Sequence, residues 1–313
     1  MNLSKVVHAN FGSDLLIRDR YSAREKLAGH LTLARPLFLL LTPLNAASAA
    51  VLSIRGLPSW GLCLAGFFTG ALAAAGVNIF NRWADRERDK TLWPSRGIPS
   101  GRVKAGAALG IALASYAAAL ALCWIYFNPT AFFILLGAEV LGSLYSTHLR
   151  DKIGYLSLPP IEGLIFLCGW ACLAPETVFT TALPWYLYLL GAVWQSGHIM
   201  AHYLLNIRYD KQGKAVIATP AFFSKPSPRA AARMTLGLAG LLFIMSVLLP
   251  LLTSISWLYI VPAAAFGLYT LYRCRALASA APDTKQVHRA WSTLALYRMV
   301  ISAAIILSII VYH

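Results

Sequence analysis

The chain has 313 residues, of which 58% are hydrophobic and only 12% are charged, and its formal net charge at pH 7 is +15. Soluble domains carry about 25% charged residues, so this composition excludes an ordinary soluble protein and favours a bundle of membrane helices. The basic residues are not interleaved with aromatics on one soluble face, which argues against a nucleic-acid partner.

The N-terminal segment is too polar for a signal peptide, because charged residues such as Lys5, Asp14 and Arg18 interrupt its apolar runs. Residues 1–34 are predicted to be an amphipathic cytoplasmic segment on the membrane surface. Residues 35–313 are predicted to form an all-α, polytopic membrane domain with nine transmembrane helices. The predicted spans are 35–54, 59–80, 105–126, 130–147, 157–174, 183–205, 232–252, 255–272 and 291–311.

The basic residues also predict the orientation of these spans. All but two of the 27 Lys and Arg residues precede the first span or lie in every second loop, the exceptions being Arg55 and Arg298. Cytoplasmic loops carry an excess of Lys and Arg. The chain is therefore predicted to be an integral, multi-pass membrane protein whose N-terminus and long loops are cytoplasmic.

Two polar stretches follow the second and sixth spans. Residues 81–85 (NRWAD) and 206–210 (NIRYD) share the pattern NxxxD and emerge on the same predicted side. Residues four apart share one helix face, which brings Asn81, Asp85 and Asp89 together. The recurrence suggests a weak parallel repeat, with a site between the two halves. Carboxylates on both faces favour Mg²⁺, which prefers oxygen ligands; the alternative is a pair of solvated helix ends.

Other polar residues lie within the predicted spans, where an unpaired charge is costly. Arg298 is predicted to pair with Glu162 or Glu139, and contact with a substrate is the alternative. His198 and His202 are four residues apart and are interpreted as cavity-lining or packed imidazoles. A zinc site is a weaker alternative, since the stretch contains no HExxH pattern.

Several motifs together resemble the UbiA superfamily of intramembrane prenyltransferases. Residues 81–89 (NRWADRERD) and 94–102 (PSRGIPSGR) resemble its first aspartate-rich motif with the following PSGR tail. Residues 144–152 (LYSTHLRDK) resemble a segment of its fourth helix, and residues 206–213 (NIRYDKQG) resemble its second motif. The resemblance covers about residues 30–311.

Two departures from the family pattern concern charge. Arg82 stands where the family usually has Asp in the first motif, and Asn206 replaces the leading Asp of the second. We expect weaker metal binding as a result, because an amide oxygen offers Mg²⁺ less charge than a carboxylate.

The resemblance implies nine helices around a central cavity and an enzyme that transfers a prenyl group. Prenyl diphosphate would react with an aromatic or lipid-like hydrophobic acceptor within membrane lipid, with Mg²⁺ as cofactor. The implied catalytic and metal-binding residues are Asn81, Asp85, Asp89, Asn206 and Asp210. The implied substrate-binding residues are Arg86, Tyr145, Arg150, Lys152 and His202. Alternatives are a membrane terpene cyclase, transfer of a sugar phosphate to a polyprenyl phosphate, and a non-catalytic transporter.

Overall fold

The structure, a computed structural model, describes residues 21–209, 215–216, 225–253, 255–278 and 284–312. Its α-helices are α1 (Ala23–Ala34), α2 (Pro36–Ile54), α3 (Trp60–Ala84), α4 (Arg86–Leu92), α5 (Ala105–Tyr126), α6 (Pro129–Leu144), α7 (Arg150–Ile153), α8 (Leu158–Leu173), α9 (Leu183–Leu205), α10 (Pro228–Leu248), α11 (Ile260–Ala278) and α12 (Thr284–Tyr312).

Short irregular segments connect some of these helices. A π-helical turn covers Tyr145–Leu149, and 3₁₀ turns cover Gly154–Ser157, Pro175–Thr177, Leu249–Leu251 and Trp257–Tyr259. The two-residue strands β1 (Arg208–Tyr209) and β2 (Ala215–Val216) pair antiparallel, with Arg208 opposite Val216.

The all-α class predicted from the sequence is confirmed. Within the described ranges, each predicted span coincides with one long helix, namely α2, α3, α5, α6 and α8 to α12. Six helical stretches in those ranges are long and apolar enough to cross a membrane by length and composition. The number of nine transmembrane helices stays a prediction.

Local sequence signals set several helix starts. Ser59, Asn128 and Ser227 cap α3, α6 and α10, each accepting a hydrogen bond from a backbone N–H in the first turn. Arg35 has φ 54° and separates α1 from α2, whose first residue is Pro36. Proline is favoured in a first turn, where its missing N–H costs no hydrogen bond.

The helices surround a large cavity. Helix α2 packs against α3, α8 and α12, and α9 packs against α8, α10 and α12. The cavity has a volume of about 960 Å³ and a mostly apolar wall formed by α2, α3, α6, α8, α9 and α12. Its polar end is lined by Arg35, Asn81, Arg82, Tyr145 and His202, whereas Leu57, Phe127 and Leu173 lie at the far end.

Candidate active site

The first motif crosses the junction between α3 and α4 at the polar end of the cavity. The Asp85 backbone N–H donates to the Asn81 carbonyl at 3.0 Å, and the Asp89 N–H donates to the Asp85 carbonyl at 2.8 Å. Helical hydrogen bonding therefore continues past the end of α3. This continuity keeps the three side chains on one face, as their spacing predicts.

Asp85 is held by arginines. Its side chain is buried and forms ion pairs with Arg150 and, at 3.0 Å, with the Arg88 Nη2. Arg150 is also buried, donates from Nη2 to the Ser146 carbonyl at 3.2 Å, and lies 5.6 Å from the centre of the Tyr145 ring. Two predicted substrate-binding residues, Tyr145 and Arg150, thus lie beside a predicted metal ligand.

Asp89 is held by a residue that the sequence interpretation missed. The Arg96 Nη1 donates to Asp89 Oδ1 at 2.7 Å, while its guanidinium lies 4.7 Å from the centre of the Trp93 ring. Arg96 belongs to the PSRGIPSGR stretch, 94–102, so the motif tail was the signal that could have identified it. The tail folds back and neutralises the last acidic residue of the motif.

The first-motif carboxylates fit a hard cation. Asp85 is 4% exposed and Asp89 is 1% exposed, so the alternative of solvated helix ends is wrong for this motif. Asp89 Oδ2 is buried and has no hydrogen-bond partner among the described residues. A buried carboxylate oxygen without a donor suits Mg²⁺. The described residues contain no group of three His, Cys, Asp or Glu side chains that could hold a metal ion, and Asp210 lies outside them, so both the Mg²⁺ site and the zinc alternative at His198 and His202 stay predictions.

Two predicted substrate contacts lie on the outer side of the motif. The Arg86 Nη1 donates to the Trp83 carbonyl at 2.9 Å, and Lys152 is exposed. Neither residue lines the cavity, so their contact with a substrate stays a prediction. Glu87, also on the outer face of α4, accepts a hydrogen bond from Lys90 at 2.7 Å, and this bond lowers the pKa of the Glu87 carboxyl.

The second motif is described only at its beginning. Asn206 Nδ2 donates to the His202 carbonyl at 2.7 Å and lies 3.0 Å from the His202 Nδ1. The His202 ring lines the cavity and makes an edge contact with Tyr155, with ring centres 6.2 Å apart. Asp210 lies outside the described residues, so its place beside Asn81, Asp85 and Asp89 stays a prediction.

Arg298 pairs with Glu162, one of the two partners predicted for it. The Arg298 Nη1 lies 2.6 Å from Glu162 Oε2, and its guanidinium lies 4.2 Å from the centre of the Trp194 ring. Glu139 is buried in the cavity wall instead, and its Oε1 has no hydrogen-bond partner in the described part of the chain.

Further residues at the cavity mouth were not identified from the sequence. Asn81 Nδ2 donates to Ser146 Oγ at 3.1 Å, which ties α3 to the π-helical turn after α6. Arg35 lines the cavity from the turn between α1 and α2. Ser146 lies in the motif stretch 144–152, whereas the position of Arg35 follows from its left-handed backbone, for which the sequence carries no signal.

The fold and the site define a class of protein. It is a polytopic helical membrane protein with an apolar cavity, whose polar end is lined by amides and arginines and lies next to the buried carboxylates of Asp85 and Asp89. Such a cavity suits a ligand with a long apolar body and an anionic head. The UbiA prenyltransferase family model matches residues 40–296, and the chain belongs to the UbiA prenyltransferase family. The predicted enzyme class, a prenyltransferase, and the predicted multi-pass membrane location are thereby confirmed.

Relatives of known name include a farnesyltransferase and a lipid synthase. The chain is 26% identical over 262 residues to the protoheme IX farnesyltransferase of Paenarthrobacter aurescens, covering 80% of this chain and 78% of that protein. It is 28% identical over 192 residues to the digeranylgeranylglyceryl phosphate synthase of Methanospirillum hungatei, covering 59% and 64%. The matches to the protoheme IX farnesyltransferases of Chloroflexus aurantiacus and Roseiflexus castenholzii span 43% and 46% of those longer proteins.

Solved structures share the fold. A structure of digeranylgeranylglyceryl phosphate synthase matches with a TM-score of 0.66 at 20% identity, covering 91% of this chain and 99% of that one. The UbiA homologue of Archaeoglobus fulgidus bound to GPP and Mg²⁺ matches with a TM-score of 0.58 at 18% identity, covering 88% and 99%. The UbiA-like helical architecture predicted from the motifs is confirmed.

Proposed function

We propose that this prenyltransferase moves a prenyl group from a prenyl diphosphate to a hydrophobic acceptor in a Mg²⁺-dependent reaction. One observation carries the proposal: Asp85 and Asp89 are buried and paired with arginines, one and two helical turns beyond Asn81, which lines the polar end of an apolar cavity of about 960 Å³. The diphosphate would lie at that end and the prenyl tail along the cavity. The Archaeoglobus fulgidus homologue, bound to GPP and Mg²⁺, supports the choice of donor and metal.

Arginine side chains of the protein supply positive charge near the proposed diphosphate position, and one of them orients the Asp85 carboxylate. Arg35 and Arg82 line the polar end, where guanidinium groups stabilise negative charge that grows on a leaving diphosphate. Arg150 fixes the Asp85 carboxylate. Mg²⁺, when bound by oxygens of the predicted set, would act as a Lewis acid on the diphosphate. That set is Asn81, Asp85, Asp89, Asn206 and Asp210.

In the proposed reaction the acceptor replaces the diphosphate on C1 of the prenyl group. The C1–O bond of the prenyl diphosphate breaks, and pyrophosphate leaves with the electron pair. The acceptor bonds to C1 and loses a proton. The apolar wall excludes water, which would otherwise capture the allylic cation. Tyr145 lines the cavity beside Arg150 and could stabilise that cation through its ring face.

The acceptor class follows from the cavity and from the names of the relatives. An apolar chamber admits a hydrophobic acceptor from the surrounding lipid. The relatives named protoheme IX farnesyltransferase and digeranylgeranylglyceryl phosphate synthase show which acceptors to test first. The positive charge of alternate loops supports a cytoplasmic position for the cavity mouth and the N-terminus.

The test is pyrophosphate release by the purified protein given geranyl, farnesyl or geranylgeranyl diphosphate, with candidate acceptors and with Mg²⁺ or EDTA. We expect Mg²⁺-dependent release, and a loss of about 100-fold or more in Asp85→Asn, the order seen on removing one transition-state-stabilising group. The matched control is Glu87→Gln on the exposed side of α4, which should retain activity. A prenylated acceptor supports the proposal, and a cyclic terpene formed without acceptor contradicts it.

A further inference from the structure

A second polar cluster lines the same cavity at a deeper level. Glu162 on α8 and Gln195 and His198 on α9 all face the cavity. Counted along the helix from Asn206, His198 is about 12 Å and Gln195 about 16 Å deeper, at a rise of about 1.5 Å per residue. The cluster is therefore separate from the diphosphate end, at the level where the hydrocarbon part of a prenyl donor would lie.

Two atoms of this cluster are left without hydrogen-bond partners. Gln195 Oε1 and His198 Nδ1 are buried, and no described residue hydrogen-bonds to either atom. His198 as a whole is only 7% exposed. A buried polar atom without a partner costs about 1–3 kcal/mol. Such atoms facing a cavity indicate a ligand that supplies the missing hydrogen bonds.

The surroundings hold the cluster in place. Arg298 lies 2.6 Å from Glu162, and this contact fixes the position of the Glu162 carboxyl group. The His198 ring stacks on Trp194, with centres 4.8 Å apart, and lies 5.1 Å from the Trp291 ring centre. Trp194 is fixed in turn by donating from Nε1 to a backbone carbonyl at 2.7 Å. The cluster is thus preorganised, a property expected of a binding site.

We propose that Glu162, Gln195 and His198 form a subsite that binds a hydroxyl group of the prenyl acceptor. This inference rests on the proposed function, because it assumes that the cavity binds both a prenyl donor and a prenyl acceptor. A carboxylate and an amide oxygen both accept hydrogen bonds, so the ligand must donate. A prenyl chain has no donor group, and the oxygens of an ionised diphosphate accept hydrogen bonds but do not donate them. A hydroxyl group on an otherwise apolar acceptor satisfies both conditions.

The experiment compares 1-naphthol with 1-methoxynaphthalene, in which a methyl group replaces the hydroxyl hydrogen and removes the hydrogen-bond donor. Binding to the full-length protein in detergent is measured by equilibrium dialysis and corrected with empty micelles. We expect the wild type to bind 1-naphthol about tenfold more tightly, as one hydrogen bond to a charged group predicts. The preference should fall to about one in the paired variant Glu162→Met/Arg298→Met, which removes the charged acceptor and leaves no buried charge unpaired, and it should be reduced in Gln195→Leu, which removes the second acceptor.

A control variant and a second ligand make the result decisive. Ser196 lies next to Gln195 but outside the cavity wall, with its Oγ donating to a backbone carbonyl within α9; Ser196→Ala should keep the preference. Mg²⁺-dependent binding of geranyl diphosphate is measured on every variant and also reports folding. Equal binding of the two naphthalenes by a wild type that still binds geranyl diphosphate overturns the subsite alone. No binding of geranyl diphosphate by the wild type overturns the proposed function.

Discussion

At the scale of single residues, the pair of Arg298 and Glu162 shows how charge is kept inside the bundle. Their nitrogen and oxygen are 2.6 Å apart, and the side chains are 3% and 12% exposed. Removing one partner leaves the other charge buried and uncompensated, which costs about 3–5 kcal/mol. We expect Arg298→Met to lower the free energy of unfolding by that amount, as measured by denaturant titration in detergent.

The double variant Arg298→Met/Glu162→Met provides the control for this prediction. Replacing both charges by apolar groups is often close to neutral, so the double variant should be more stable than Arg298→Met alone. A double variant as unstable as the single one would contradict a stabilising role for the pairing. It would indicate instead that the Arg298 side chain acts through its packing on the Trp194 ring.

The residue-scale arrangement at the site was only partly predictable. An unpaired arginine is costly in an apolar span, so the sequence predicted that Arg298 pairs with Glu162 or Glu139, with substrate contact as the alternative. The choice between them depends on helix packing, which no local pattern encodes. The same limit applies to Arg96, whose contact with Asp89 needs the loop after α4 to fold back. The spacing of Asp85 and Asp89 predicted that the two side chains share one helix face. It did not predict the ion pairs that they form with arginines.

Arg150 gives the next prediction at this scale. It is buried against Asp85 and against Tyr145, which lines the cavity, and it fixes the carboxylate beside the proposed diphosphate position. We expect Arg150→Met to raise the Kd for geranyl diphosphate with Mg²⁺ by about tenfold or more, as loss of a charged hydrogen bond predicts. Lys90→Met is the matched control, because it removes one positive charge from the exposed face of α4. Equal weakening by both substitutions would mean that only net charge matters.

At the scale of helices, α2 and α8 pack closely against each other at a glycine of α8. A Cβ atom added at Gly169 would overlap the backbone of Ala46, which cannot move as a side chain can. We expect Gly169→Ala to separate the two helices and lower the free energy of unfolding by about 1–3 kcal/mol or more. The measurement is the Tm in detergent, together with the size-exclusion profile.

Gly137 on α6 is the matched control for this substitution. A Cβ added there meets no other atom within 4 Å. Alanine also favours helix more than glycine by about 1 kcal/mol, so Gly137→Ala should be neutral or stabilising. A Gly169→Ala variant as stable as Gly137→Ala would show that α2 and α8 are not closely packed.

The helices themselves were largely predictable, while their ends were not. Apolar runs located each long helix, but α3 continues to Ala84 beyond its predicted end at residue 80, and α12 begins at Thr284 before its predicted start at residue 291. Hydropathy marks the part of a helix that lies in lipid, whereas backbone hydrogen bonds continue through polar ends. The π-helical turn at Tyr145–Leu149 was likewise invisible to an apolar pattern.

At the scale of the whole molecule, the distribution of charge predicts which end of the bundle faces the cytoplasm. Lys152 lies between α6 and α8 on the side of the cavity mouth, and Glu176 lies between α8 and α9; both are exposed. One long helix, α8, lies between the two positions, so they are predicted to be on opposite sides of the membrane. We expect a membrane-impermeant maleimide, added outside intact cells, to label Glu176→Cys but not Lys152→Cys, because basic loops stay in the cytoplasm.

Two controls define this labelling experiment. The wild-type chain has five cysteines of its own, so labelling is counted above that background. Opening the membrane should make Lys152→Cys as reactive as Glu176→Cys, since both side chains are exposed. Labelling of Lys152→Cys in intact cells would contradict the predicted orientation. The diphosphate donor would then have to reach Asp85 and Asp89 from outside the cytoplasm, and the basic loops could no longer be explained by topology.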